Sequence, residues 1–324
     1  MIVFFFVYAV LILWGIKFVR NDNDVLSFSQ TNALKGIGIM TVFFNHIYND
    51  YLTPHNVGYR PIFDTPFVYF ETHLTAMFVG MFLFFSGYGV YESYKKKGKS
   101  YIDQMPIKRI GTTLFNFDIA VVVFLIADLL LQVSLKSQDV ALAFVGWESI
   151  GNSNWYIFAI LCCYLASYLS FKISRNSRQY IVILSLLICL YTLMVYLYRF
   201  PWWYNTILCY PAGVLYSSHK EKLNSVFAKK YCLFAITFFV IYITSYLLSA
   251  RALFILHNIS AIAFCFLCVL VSFKVRLQSK PLIWLGSHLF PIYIYQRLPM
   301  LVIDNIYPEL IENTPPRCSL SYVC

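Results

Sequence analysis

Charged side chains are scarce in this sequence. Asp, Glu, Lys and Arg make up 12% of its 324 residues, against 60% hydrophobic and 19% aromatic. A water-soluble domain carries roughly twice that share of charge, so a soluble globular protein is excluded. Histidine is scarcer still, with six copies, and none stands with cysteines at metal-ligand spacing, so no metal site is expected. Acidic residues number 15 against 25 basic ones. The basic residues are scattered through loops rather than gathered on one solvated face, which argues against nucleic acid as a partner. The nine cysteines outline no disulfide framework. Seven of them, Cys265 and Cys268 included, fall in apolar runs, where cysteine behaves as a small hydrophobe.

Apolar length is abundant. The first run, MIVFFFVYAVLILWG, has no basic stretch before it and no small-residue cleavage site after it, so it is expected to stay as a membrane helix rather than leave as a signal peptide. Further runs follow to about residue 303. The expected fold is an all-α polytopic membrane protein, one transmembrane domain over 1–303 built as a bundle of about ten helices, with a polar tail over 304–324. Approximate spans are 1–17, 32–48, 67–91, 110–135, 155–171, 180–198, 203–218, 231–248, 252–273 and 281–303.

The loops between these spans set an orientation. Alternate loops hold Lys17 and Arg20; Lys95 to Lys99 with Lys108 and Arg109; Lys172, Arg175 and Arg178; Lys220, Lys222, Lys229 and Lys230; and Lys274, Arg276 and Lys280. The other side holds only Arg60, Lys136, Arg199, Arg251, Arg297 and Arg317. By the positive-inside rule the first set is cytoplasmic and the amino terminus lies outside.

The second span then runs outward, with Lys35 near its inner end and His46 eleven residues on. Eleven helical residues advance about 16 Å and close to within about 20° of the starting face. Both ionisable groups therefore share one stripe, which must face protein or a water-filled cavity. His46 is a candidate for proton transfer, and Asp50, four residues on, is placed to accept from its ring. The alternative is a histidine at the outer interface, bonded to a carbonyl or to water. Ser86 and Gly87, at the end of a phenylalanine-rich run, fit either a ligand contact or plain helix packing. Lys108 and Arg109 close the densest basic loop, which suits either a phosphorylated donor or anionic lipid. Other polar groups fall within the apolar runs, among them Glu71, His73, Asn116, Asp118, Asp128, His257, Asn258 and His288.

Five stretches, in order, resemble the integral-membrane acyltransferase family three. LKGIGIMTVFFNHI, with its lysine, ten residues and histidine, resembles the opening signature. FLFFSGYG resembles the Ser-Gly motif, SNWYIFAILCCYLASYL the Trp-Tyr helix, YPAGVLYSSHKEKL a later glycine-containing helix with a basic turn, and LIWLGSHLFPIYIYQRLPM the last signature segment. The resemblance covers roughly residues 31–300. It implies an enzyme of the bacterial cytoplasmic membrane that moves an acyl group, acetyl above all, from cytosolic acyl coenzyme A as co-substrate to a hydroxyl on a cell-surface glycan or lipid-linked sugar. No bound cofactor is implied. Taken with the reading of the residues above, it points to His46, Lys35 and Asp50 as the catalytic set, and to Lys108, Arg109 and Ser86 as donor contacts. Departures stand beside it: Lys35 where arginine is commoner, Gly111 and Thr112 where a further arginine is expected, Gln296 where many members carry histidine, and a tail after Asp304 too polar to be a span, expected to mark a truncated or altered end. A second class remains open on the residues alone, a transporter or flippase for a polar or sugar-containing solute. It would also need intramembrane polar groups, although the two halves of the chain show no internal repeat.

Overall fold

The computed structural model describes residues 2–19, 24–52, 61–249 and 254–306. Helix α1 (Ile2–Leu13) leads into strand β1 (Ile16–Phe18). Helix α2 (Phe28–His46) starts at Ser27, whose hydroxyl accepts from the Gln30 amide, and runs into a π-helical turn, Ile47–Leu52. Helix α3 (Pro61–Lys97) descends over 37 residues. Helix α4 (Lys99–Met105), a π-helical turn (Pro106–Gly111) and α5 (Thr112–Leu130) form one nearly continuous rod. There follow α6 (Ser137–Ala143), α7 (Trp155–Ile173), α8 (Ser177–Tyr198), α9 (Cys209–Ser218), α10 (Lys220–Lys229), α11 (Tyr231–Ser249) and α12 (Phe254–Lys274). Strand β2 (Val275–Leu277) pairs antiparallel with β1, and the chain ends its described course in three short helices, α13 (Lys280–Ser287), α14 (Leu289–Tyr295) and α15 (Leu298–Ile306).

Six helical segments are long and apolar enough to cross a bilayer: His73–Lys97, Lys99–Leu130, Trp155–Ile173, Ser177–Tyr198, Tyr231–Ser249 and Phe254–Lys274. The protein is thus a multi-pass α-helical membrane protein, and the expected count of ten exceeds the six that length and composition support among the described residues. The differences are local. Helix α2 has the length, 19 residues, but carries Gln30, Asn32, Lys35 and Asn45. Helices α1 and α9 are 12 and 10 residues long, and the expected last span is broken at His288 and Gln296, ahead of Pro291 and Pro299 in the first turns of α14 and α15, which cannot donate a helical hydrogen bond.

Two pairs of helices meet backbone to backbone, and glycine is what permits it. A side-chain carbon on Gly36 of α2 would collide with the Leu282 carbonyl of α13, and one on Gly286 of α13 would collide with the Asn32 carbonyl of α2. The same reciprocity joins α3 and α9. Gly87 faces the Tyr210 carbonyl and Gly213 the Phe84 carbonyl. Small residues at a crossing let helices in lipid gain close packing where no hydrophobic drive exists. Around these crossings Phe84, Tyr210, Tyr216 and Ile39 are fully buried, while Leu233, Ile236, Phe239 and Val240 of α11 are exposed, as a lipid-facing surface would be.

All five basic loops converge on one end of the bundle. The β1–β2 pairing sets Lys17 opposite Arg276, Lys274 lies 5.4 Å over the Tyr231 ring, Lys220 pairs with Glu92 at 3.2 Å, and Lys172 bonds Asp103 at 2.9 Å. The start of α2 is stapled to the same end, because the Gln30 amide donates to Ser272 Oγ and the Val275 carbonyl and accepts from the Leu277 amide.

Candidate functional site

Helix α2 is unbroken from Phe28 to His46, so the spacing argument for Lys35 and His46 applies to it directly. Lys35 is half-buried about two turns above the basic end, beside the Gly36 crossing. The charge of Arg109, from the π-helical turn before α5, acts on it directly. Arg109 is itself half-buried, its guanidinium 5.8 Å over the Tyr164 ring and flanked by Tyr101 and Tyr210. Among the described residues neither cation makes an ion pair. Tyr210 is committed to Ser167 at 2.8 Å, which also receives the Tyr180 hydroxyl at 3.3 Å, whereas the buried Tyr101 hydroxyl makes no hydrogen bond of ordinary geometry. Two like charges thus act on one another, the arginine among tyrosines, and among the described residues no ion pair balances either.

The structure separates Lys108 from Arg109. Neighbours on a helix differ by about 100°, and Lys108 is exposed while Arg109 turns inward. Ser86 is half-buried beside Tyr156, which Tyr164 also faces. Tyr156 in turn meets the Tyr293 ring at 5.3 Å and Phe82 at 6.3 Å. Arg109, Tyr164, Tyr156 with Ser86, and Tyr293 with Arg297 therefore form a file of polar groups through the interior, from the basic end towards the opposite one.

His46, half-buried, closes α2 where the helix widens into a π-helical turn, a distortion frequent at functional sites. That turn alters the expectation for Asp50. The four-residue relation to His46 assumed α-helical spacing, and a π-helical turn bonds residues five apart. The backbone of Asp50 lies in this turn, and its side chain, like that of Glu71, lies outside the described residues.

The remaining intramembrane polar groups divide. His73 shares a 2.5 Å hydrogen bond with the Tyr246 hydroxyl and so joins α3 to α11, while His257 meets the Asn205 carbonyl at 3.2 Å and Asn258 bonds the Tyr204 carbonyl and the Leu208 amide, which tie α12 to the turn before α9. His288 is exposed and bonded to its own turn at the Trp284 carbonyl. Asn116 bonds back to Thr112. Asp118 and Asp128 instead each bury one carboxyl oxygen without a hydrogen bond.

Two further features escaped sequence reasoning. The clustering of six interior tyrosines did, because nothing in the sequence singles out those positions together among 26 tyrosines. The network of Glu92 with Lys95, Lys220 and Ser217 did as well. Its signal was present in the i, i+3 spacing of Glu92 and Lys95. Two open clefts, about 380 and 340 Å³, lie elsewhere on the basic end, one lined by Arg175 and Arg178, the other by Lys17 and Arg276, and neither is lined by Lys35, His46 or Arg109.

A family model described as an acyltransferase domain matches residues 28–323. No curated protein and no solved structure matches the chain.

Proposed function

Because the chain belongs to this acyltransferase family along nearly its whole length, and so is an acyltransferase acting by O-acyl transfer, we propose that it moves an acyl group, acetyl in the first instance, from cytosolic acyl coenzyme A to a hydroxyl of a cell-surface glycan or lipid-linked sugar. The observation that carries the donor half is the pairing of Lys35 with Arg109. Two half-buried cations, the arginine among tyrosines, repel one another and lose solvation, and a phosphorylated ligand between them would reverse both costs. Arginine offers a planar fork for phosphate and lysine a point charge. The basic end is then the cytoplasmic one, in keeping with positive-inside orientation. Of Lys108 and Arg109, both expected as donor contacts, only Arg109 turns inward beside Lys35. Lys108, exposed, serves orientation and anionic lipid.

His46 is the proton-transfer group of the reading. The acceptor oxygen attacks the acyl carbonyl carbon, the bond from that carbon to sulfur breaks, the hydroxyl proton passes to the imidazole, and the thiolate leaves to be protonated as coenzyme A thiol. Asp50 completes the catalytic set as the group that orients the imidazole. The file of buried tyrosines, with half-buried Ser86 on it, connects the level of Arg109 with that of His46, the route along which a pantetheine arm or an acyl group would pass. Donor dependence tests the proposal. Membranes holding the protein and incubated with radiolabelled acetyl coenzyme A should transfer label to surface polysaccharide or lipid-linked sugar, and membranes lacking it should not. Label that stays on the coenzyme in both would reject it.

A further inference from the structure

Helix α8 carries arginine at both ends, and the protein supplies partners at only one of them. Arg199, just past its last residue, bonds Glu148 at 2.6 Å and lies 4.1 Å over the Trp147 ring. Arg175 and Arg178 stand at the other end, in and just after the short turn over 174–176 that joins α7 to α8 among the basic loops. Both are exposed, and among the described residues neither makes an ion pair or lies over an aromatic ring. Their neighbour Lys172 is the cation that takes Asp103, at 2.9 Å. The turn is otherwise closed on itself. Asn176 Oδ1 caps α8 by accepting from the Gln179 amide, and Gln179 Oε1 accepts from the Arg175 amide. What remains for an outside ligand is the two guanidinium groups rather than the helix start.

Both arginines line one open cleft of about 380 Å³, whose other walls are Ile173, Gln179, Val182 and Ile183. The cleft heads a longer surface. Leu165, Leu169 and Ile173 follow one another at four-residue steps on α7, Val182, Leu186 and Leu190 do the same on α8, and all six are exposed. Residues four apart share a helix face. Helices α7 and α8 pack against each other, so two apolar stripes run side by side from the cleft, each about 12 Å long. Half of a bilayer's hydrocarbon core is about 15 Å thick, so the stripes cover most of one leaflet.

We propose that this cleft binds one anionic phospholipid of the leaflet at the basic end, its phosphate held between Arg175 and Arg178 and its two acyl chains laid along the α7 and α8 stripes. The site is separate from Lys35, His46 and Arg109, and it does not depend on the reaction proposed for them. The chemistry selects the occupant. A guanidinium fork matches phosphate oxygens, and such charge-assisted bonds are the strong ones. A zwitterionic headgroup would set its own cation beside two more. A soluble phosphate would meet the arginines and leave the apolar walls without a partner. Basic loops in general attract anionic lipid to the inner face, but here charge, concavity and a pair of apolar stripes coincide, which makes the contact a site of fixed stoichiometry.

Native mass spectrometry of the full chain, delipidated in detergent and titrated with phosphatidylglycerol, counts the lipids on each molecule. One phosphatidylglycerol should bind ahead of the rest, and phosphatidylcholine with the same chains should not. Arg175→Gln with Arg178→Gln should weaken this first binding about tenfold or more, the worth of two charges near a membrane surface. Lys96→Gln with Lys97→Gln removes as much charge from another exposed basic loop and should leave it unchanged. Val182→Trp, which fills the cleft from its apolar side and keeps both arginines, should also remove it, and excess glycerol phosphate should not displace the lipid. All these positions are exposed, so each variant should melt with the unsubstituted chain. Equal binding of the two lipids, an equal loss in the lysine pair, or no loss in the arginine pair would reduce the contact to general attraction and overturn the inference. Displacement by glycerol phosphate would make it a site for soluble anions and overturn it as well, as would binding lost only where the melting transition is lost.

Discussion

Lys35 and His46 make separable demands on their side chains. At Lys35 the need is for charge, so Lys35→Arg should keep most donor use. Lys35→Ala should raise the KM for acyl coenzyme A about 10- to 100-fold, the worth of one hydrogen bond to a charged group. At His46 the need is for a titratable ring. His46→Ala should lower transfer by about 10² or more at unchanged protein level, while His288→Ala, which removes only an exposed ring bonded within its own turn, should leave transfer near the unsubstituted rate. Transfer assays with labelled donor, normalised to immunoblot, compare all four. The shared stripe of Lys35 and His46 was legible in the sequence because helical spacing depends on an unbroken helix, which α2 is. The π-helical turn that carries Asp50 was not, because the widening of the helix after His46 depends on what packs against it. Arg109 and Lys108 looked equivalent as text, and only the rotation of the π-helical turn tells the inward one from the outward one.

The glycine crossings govern the elements. At Gly213 or Gly286 a valine would push against a backbone carbonyl that cannot rotate away, so the helices must separate. Gly213→Val and Gly286→Val should each cost about 1–3 kcal/mol or more, as overpacking does, measured as earlier unfolding in a denaturant titration. Gly89 has nothing within 4 Å of its would-be side chain, and Gly89→Ala should be tolerated. On the loop of Trp147, Arg199→Lys should retain the pair with Glu148 yet lose the flat stacking on Trp147 and Trp203, at a cost of about 1 kcal/mol. The glycine-bearing stretches were quoted from the sequence as motifs, and their resemblance to a family was readable there. That Gly36 answers Gly286 and Gly87 answers Gly213 was not, since pairing between segments 126 or 250 residues apart has no trace in local pattern.

At the scale of the whole molecule, the gathering of five basic loops at one end gives the orientation a test. A cysteine at Lys97 should escape a membrane-impermeant maleimide on intact cells and react once the inner face is opened, while one at Gln138, in α6, should react from outside. The reverse pattern would invert the proposed topology. The alternation of charged loops was plain in the sequence because it is a property of loops alone. The number of crossings was not, because short and broken helices such as α9 and α13–α15 owe their place to neighbours rather than to their own apolar length. The reciprocal crossings carry a consequence for inheritance. A carbonyl and a glycine that fill each other's space cannot be replaced one at a time, so each pair forms a single heritable unit. Across diverged descendants Gly36 should covary with Gly286, and Gly87 with Gly213, and lineages that lose one glycine should show its counterpart lost or its helix displaced.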